Sequence, residues 1–402
     1  MAFFKQKNIL LAPVLVIVVA LIFGLATLGS TVNPVPRQLP VLLAQMDEGS
    51  TLPGQGDVNY GKTIADNLTA ASTGEQSASS PFEWEIVSDS EEGLDRLDRQ
   101  EAYALVVIPQ SLSADVAGLM KGSSDAADIQ IYVNQGKNMS AAGAVSQAMT
   151  QVFQGINAKF SEQLTGALAA QGMQVNPAQI AGLANPVQAK IQLVHPVGTH
   201  SANGNAPGSL VQIGWMAALV ASMLVFFAKR NVRTEGRKQQ ASLISMQVVA
   251  GAVLSIIAGF GILGSADYVF NMHVPSFLDS ALFLSLAVFS FFLMMSALLS
   301  WLGFAGIPIF MLLFFFTGPV LTLAPEMLPQ ATRDLLYSWV PLRFAVEGLR
   351  DLFYFGQGLN IGEPLAVIAS IAGGSLVVLL GSAFKPANAA KALPANTEAV
   401  RG

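Results

Sequence analysis

Six stretches of this chain run without a charge for about the ~20 residues that a helix needs to cross a bilayer. They cover residues 9–28, 210–228, 242–264, 280–304, 306–324 and 365–384. Composition agrees, with 52% of residues hydrophobic and 12% charged, roughly half the charged share of a soluble domain. The pattern predicts a polytopic α-helical membrane protein with six transmembrane helices. A large α/β domain sits between the first and second spans. The expected order is a short N-terminus and first span (1–28), the inserted domain (29–208), a five-helix membrane domain (209–384) and a tail (385–402). Within the membrane domain lie a basic loop (229–241) and an amphipathic helix (329–356). The first run, preceded by Lys5 and Lys7, also admits a signal-peptide reading. It is longer than a usual signal core, and no A-x-A site follows it.

Basic residues set the expected orientation. Six spans put both termini on one side, with Lys5, Lys7, Lys229, Arg230, Arg233, Arg237, Lys238, Lys385, Lys391 and Arg401. The opposite short loops hold Arg333, Arg343 and Arg350. The expectation is a multi-pass protein of the cytoplasmic (inner) membrane with cytoplasmic termini and an extracytoplasmic α/β domain. That domain carries 17 Asp and Glu against eight Lys and Arg between Ser30 and Pro207. Its acidity gives nucleic acid no footing. The chain has no cysteine, which excludes thiol chemistry. His195, His200 and His273 read as solvated loop residues, and no catalytic triad, carboxylate pair, metal set or cofactor motif is expected. The protein is read as no enzyme.

Inside the inserted domain, short apolar runs alternate with helical stretches, the signature of an α/β layer. LPVLLAQM, FEWEIV, YALVVIP, ADIQIYVNQ and AKIQLVHPV read as strands. KTIADNLTAAS, SEEGLDRLDRQEA and SLSADVAGLMKG read as helices, the last with Ser111 or Ser113 as cap. A long helix is expected from Asn138 to Gly172, and NPAQIAGLANP reads as a loop. Val145, Met149, Val152, Phe153, Ile156 and Phe160 share one face of the long helix. That face packs on its own domain or on a partner or second copy.

GDVNYGKT, residues 56–63, matches the phosphate-binding pattern G-x-x-x-x-G-K-[ST]. The pattern acts only between a buried strand and a helix start, where backbone N–H groups meet phosphate. Here it is expected on the side poor in nucleotide, so it reads as a turn into a helix.

Several stretches together resemble ABC type-2 permeases of the YhgE/Pip (phage-infection-protein) kind. LPVLLAQMDEG is similar to that family's opening strand and turn, and NYGKTIADNL to its first helix start. EAYALVVIPQSLSADV resembles its "tyrosine, apolar strand, Ile-Pro" segment, and IYVNQGKNMSAAG its "Tyr-x-Asn-x-Gly-x-Asn" turn. MLPQATRDLLYSWVPLRFAVEGLRDLFYFG resembles the element before the last span of type-2 permeases generally. The resemblance implies a dimeric exporter subunit served by a separate ATPase. RTEGRKQQASL keeps Glu235 and Gly236 of the family's segment after the second span and loses the rest. Arg233, Glu235 and Arg237 are the candidate coupling loop on that ground.

No ionisable residue falls inside the six runs, which argues against a proton relay. Pro308, Gly318 and Pro319 are a candidate hinge in the fifth run; ordinary membrane-helix irregularity explains them equally well. Beyond it, Leu342, Val346, Leu349 and Phe353 form one helix face, and Arg343, Glu347 and Arg350 stack at pairing distance on a neighbouring one. Trp339 and Tyr354 suit a membrane interface. An interfacial helix with a solvated stripe is one reading. A re-entrant helix lining an exit path, implied by the resemblance, is the other, and Pro341 and Gly348 are expected to break its regularity. Two functions follow. One is a permease subunit moving amphipathic or hydrophobic compounds outward among membrane lipid. The alternative is a membrane-anchored receptor or envelope-assembly platform that meets an extracytoplasmic adaptor protein.

Overall fold

The computed structural model describes residues 36–52, 56–70, 80–170, 177–232 and 236–385, with Pro13, Ile17, Gly172 and Val175 besides. The expected first span, the tail beyond Lys385, and Arg233 and Glu235 of the coupling loop lie outside the described residues.

Five of the strands form one mixed sheet. They are β1 (Leu39–Gln45), β4 (Phe82–Val87), β5 (Ala104–Ile108), β6 (Ala127–Asn134) and β7 (Val187–Val194), in the order β4-β1-β5-β6-β7. β1 is parallel to both neighbours, β5 and β6 are antiparallel, and β7 is parallel to β6. The period-2 alternation of strand side chains divides the core between two faces. Leu39, Val41, Leu43, Ala104, Val106 and Ile108 enter the larger cluster, while Leu42, Ala44, Leu105 and Val107 enter the smaller one. Helices α1 (Tyr60–Ala70), α3 (Leu112–Met120) and α4 (Met139–Ala170) bury side chains in the larger cluster, and α2 (Ser90–Asp98) covers the smaller. On α4, Val145, Met149, Phe153 and Phe160 are buried in their own domain, Ile156 partly so, while Val152 is exposed. The expected loop NPAQIAGLANP instead contains helix α5 (Pro177–Ala184). Gly182 is not a breaker there: a β-carbon on it would sit 2.6 Å from Leu119 and 2.8 Å from the Ser124 carbonyl oxygen.

β2 (Ser50–Leu52) and β3 (Gly56–Val58) form a separate hairpin leading into α1. This is the GDVNYGKT segment. The N-terminal N–H groups of α1 are engaged by the protein itself. Gly61 N–H donates to Asp47 Oδ2 at 2.9 Å and Lys62 N–H to Asn59 Oδ1 at 2.6 Å. A phosphate would have to displace the buried Asp47 carboxylate, which also accepts from Ser113 N–H at 2.9 Å and Ser113 Oγ at 2.5 Å. Gly61 is glycine because its β-carbon would fall 2.4 Å from that of Asp47.

Among the described residues four helical stretches are long and apolar enough to cross a membrane. They are α6 (Ala206–Arg230), α7 (Arg237–Tyr268), the stretch Phe277–Val320, and Glu363–Phe384, most of it α11 (Glu363–Gly381). The third stretch doubles back. Its first arm, α8 (Phe277–Leu302), stops at Gly303, whose φ of +67° is the left-handed conformation that glycine tolerates. After a 3-10 turn the second arm, α9 (Ile307–Val320), begins. Phe291 on α8 and Phe310 on α9 lie 4.9 and 6.1 Å from the same Trp215 ring. In a straight helix those 19 residues would separate them by about 28 Å. Pro308 occupies the first turn of α9 and Pro319 its last, so neither bends the arm's middle; the turn belongs to Gly303. The window of Phe277–Val320 is 72% buried, against 22% for α7 and 17% for the last stretch, so α8 forms the centre of the bundle.

Candidate functional site

The sheet domain and the bundle are locked together by residues 321–363. Ala324 and Met327 leave the end of α9 and bury themselves in the larger core of the sheet domain. The 3-10 turn Pro325–Met327 between them aims Glu326 at the root of β5. There the buried Tyr103 donates its O–H to Glu326 Oε2 at 2.8 Å. Lys137, in the turn after β6, stands over the Tyr103 ring at 4.4 Å and donates to the Gln100 carbonyl at 2.5 Å. Gln100 ends α2 in the left-handed region, with φ of +60°, and its side-chain amide donates to Asp351 Oδ1 at 2.5 Å.

Asp351 belongs to α10 (Pro341–Tyr354), the amphipathic helix expected from the sequence. The helix is regular. Pro341 starts it, where a missing N–H costs nothing, and Gly348 is a point of close approach rather than a break. A β-carbon at Gly348 would lie 2.3 Å from the buried Phe283 ring of α8 and 3.1 Å from Ile361. Leu342, Val346, Leu349 and Phe353 are buried as the spacing requires. Trp339 is exposed, and Tyr354 donates to the Gly204 carbonyl at 3.3 Å.

Between these parts lies a cavity of about 370 Å³. Its charged lining comes from both sides: Arg99, Lys137 and Glu326 against Glu347, Arg350, Asp351 and Glu363. The structure pairs two members of the expected stripe. Arg343 Nε lies 2.7 Å from Glu347 Oε1, with its guanidinium over the Tyr337 ring at 4.7 Å, and Tyr337 donates to the same Glu347 oxygen at 3.3 Å. Arg350 does not join them. It turns to the cavity and has no ion-pair partner among the described residues.

Burial shapes the acid–base character here. It pulls the Lys137 ammonium down to about 8; Glu326 opposes the shift and Arg350 adds to it. It pushes the Asp351 carboxyl up to about 6 against the hydrogen bond from Gln100, with Glu347 adding repulsion. Burial and then Glu326 hold the Tyr103 hydroxyl well above its ordinary range.

Of the other expected residues, Pro308, Gly318 and Pro319 lie away from this cavity; Gly318 packs beside Gln212. Arg237 starts α7 and stands over the Phe384 ring at 5.9 Å. His195 is no solvated loop residue: it meets Asp98 at 3.1 Å and stacks on Phe355 at 4.4 Å, tying β7 to the end of α10. Among the described residues no group of three or more His, Cys, Asp or Glu is placed to hold a metal ion. Sequence reasoning missed Gln100, Tyr103, Lys137, Glu326 and Asp351 as site residues. Only Asp351 carried a signal, since its i+4 spacing from Glu347 puts it on the same helix face.

A family model described as "Protein of unknown function (DUF3533)" matches residues 10–377. No curated protein and no solved structure matches the chain.

Proposed function

The chain belongs to the DUF3533 family, and we propose that it is a permease subunit of an ABC type-2-like exporter. In this reading it moves amphipathic or hydrophobic compounds out across the cytoplasmic membrane, as a dimer driven by a separate ATPase. The observation that carries the proposal is the junction cavity, a charged space at the domain end of the bundle. Along the bundle itself, α8, α9 and α11 enclose an apolar groove lined by Met294, Leu298, Phe310 and Val378. A polar end above an apolar flank suits a molecule with a head and a tail.

The six-span reading draws support from the doubled-back stretch, which brings α9 alongside α8. The orientation draws support from where the bases gather. Lys385, at the end of the last stretch, donates to the Trp301 carbonyl at 2.9 Å, and Arg237 stands over Phe384, so α7, α8 and α11 share one basic end away from the sheet domain. By the positive-inside tendency that end is cytoplasmic. Single cysteines at Gln55 and Gln239 test it with an impermeant thiol reagent. Labelling at 239 in intact cells with none at 55 reverses the topology.

The export reading is tested by accumulation of a panel of amphipathic dyes in cells carrying wild type, Glu347→Ala or empty vector. Lower accumulation in wild-type cells, lost in Glu347→Ala, is expected; equal accumulation in all three refutes export of that panel. One observation favours the platform alternative. The edge strand β7 leaves Ile191 and Leu193 exposed, a surface that an extracytoplasmic adaptor could cover.

A further inference from the structure

The charges around the junction cavity are not paired with one another. Arg99 is taken by Asp95 at 2.9 Å and Glu101 at 3.1 Å, and Glu347 by Arg343. That leaves Lys137, Arg350, Glu326, Asp351 and Glu363. Among the described residues no two of these five form an ion pair. Lys137 is held by a carbonyl and a ring face, Glu326 by a tyrosine hydroxyl, and Asp351 by an amide. Arg350 and Glu363 line the space with no hydrogen-bond partner among the described residues. Asp351 is buried, Lys137, Glu326 and Arg350 are half-buried and Glu363 is exposed, and a charge taken out of water with only neutral partners is costly. Opposite charges on flexible side chains this close normally recover that cost by meeting. Here neutral contacts hold Lys137, Glu326 and Asp351 in place, while Arg350 and Glu363 face the open volume.

We propose that this cavity binds a compact zwitterion, with its anionic group on Arg350 and Lys137 and its ammonium toward Glu326 and Glu363. The mixed lining decides the ligand class. A dianion would meet Glu326 and Asp351, and a simple cation would meet Arg350 and Lys137; a zwitterion answers both. A volume of about 370 Å³ lies at the small end of ligand pockets, which span about 300–1,000 Å³. The cavity stands at the domain end of the bundle; Tyr337 lines it, and Trp339, two residues on, is exposed and of a type found at membrane interfaces. The same chemistry can therefore arrive as a lipid headgroup or as a free solute. The inference rests on the export reading only in making this zwitterion the head of the transported amphipath; binding itself needs no transport.

The test is titration calorimetry on the full-length protein in lipid nanodiscs, with sn-glycero-3-phosphoethanolamine as the probe. Saturable binding is expected. Glycerol 3-phosphate, which lacks the ammonium, and ethanolamine, which lacks the anion, should each bind roughly tenfold more weakly or worse, the value of one charge-assisted contact. Arg350→Gln should weaken the zwitterion by about the same factor, and Arg350→Lys by less. Glu363→Gln, at an exposed position, keeps the test open should Arg350→Gln not fold, and it too should weaken binding. The source is read from the disc lipid. Binding in phosphatidylglycerol discs that disappears in phosphatidylethanolamine discs assigns the site to a headgroup; equal binding in both assigns it to a free solute. No saturable binding in either disc, or undiminished binding in a folded Arg350→Gln and in Glu363→Gln, overturns the proposal. Binding without dye export sinks the permease reading and spares the site; export without binding does the reverse.

Discussion

The last helix of the bundle begins in one environment and ends in another. At its start, Glu363 and Pro364 wall the junction cavity among seven charged side chains. Two turns on, Ile371, Gly374, Ser375 and Val378 wall a groove of about 640 Å³ whose other residues are Met294, Ala297, Leu298, Trp301, Leu302 and Phe310. None of the described residues lining that groove is charged. The difference teaches that polarity here is organised along the bundle axis and not around it. The junction has charge because two parts bring it together: the sheet domain supplies Arg99 and Lys137, and the link, α10 and the start of α11 supply Glu326, Glu347, Arg350, Asp351 and Glu363. The described residues of the groove come from the apolar helices α8, α9 and α11, whose facing sides carry no charge there. Packing also differs along the bundle. Gly348, where α10 meets α8, has no room for a β-carbon, while Gly374 beside the groove has nothing within 4 Å of one.

The largest expected effect tests that packing. Gly348→Val should destabilise the protein by about 3 kcal/mol, the upper part of the usual overpacking range, because the Phe283 ring it meets is itself buried. A melt in detergent reads this out, and an unchanged melting temperature would mean that the contact of α10 with α8 is as loose as the groove. Next comes Glu347→Ala, which strips one partner each from Arg343 and Tyr337. A loss of about 1–2 kcal/mol is expected, whereas Arg350→Ala should stay below about 0.5 kcal/mol because it breaks no pair. Equal losses would show that Arg350 joins the stripe after all.

A third expectation concerns pH. Asp351 has its carboxyl raised from an ordinary 3.8 to about 6, so the folded state holds its proton longer than the unfolded chain does. Stability from this group is full below about pH 4 and is lost as pH rises through 6, at no more than about 1.4 kcal/mol per pH unit. Lys137, lowered from 10.5 to about 8, acts in a separate window: stability rises as pH climbs from about 8 toward 10.5. Asp351→Asn should flatten the acidic slope alone and Lys137→Met the alkaline one alone. If neither slope changes, the junction is as well hydrated as a surface. The smallest effect belongs to the groove. Gly374→Val should change stability by less than about 0.5 kcal/mol, and a larger loss would mean that the groove is packed in the membrane.

The five strands of the main sheet were readable as short runs, four of them rich in valine, leucine or isoleucine, and the long helix from the apolar period between Val145 and Phe160; the short strands β2 and β3 were not. Arg343 and Glu347 were readable as a pair from their spacing alone. Glycines misled the reading. Gly182 and Gly348 have the composition of breakers, yet both sit inside regular helices where a neighbour's side chain or carbonyl needs the space. Sequence does not distinguish a glycine that bends a chain from one that is merely crowded. The junction cavity was not readable for a different reason. Tyr103 and Glu326 are 223 residues apart and Gln100 and Asp351 are 251 apart. No local period connects them, and they meet only because Ala324 and Met327 carry the link between α9 and α10 into the sheet domain.

That insertion fixes an order of assembly. The ribosome releases the strands and helices of the sheet domain long before it reaches residue 324, so the domain's larger core must wait with two places empty while the membrane helices are made. It closes only when the chain after α9 returns to the domain side. The sheet domain is thus a lock whose key is cut last. A chain truncated before Ala324 should present an unfinished core to proteases.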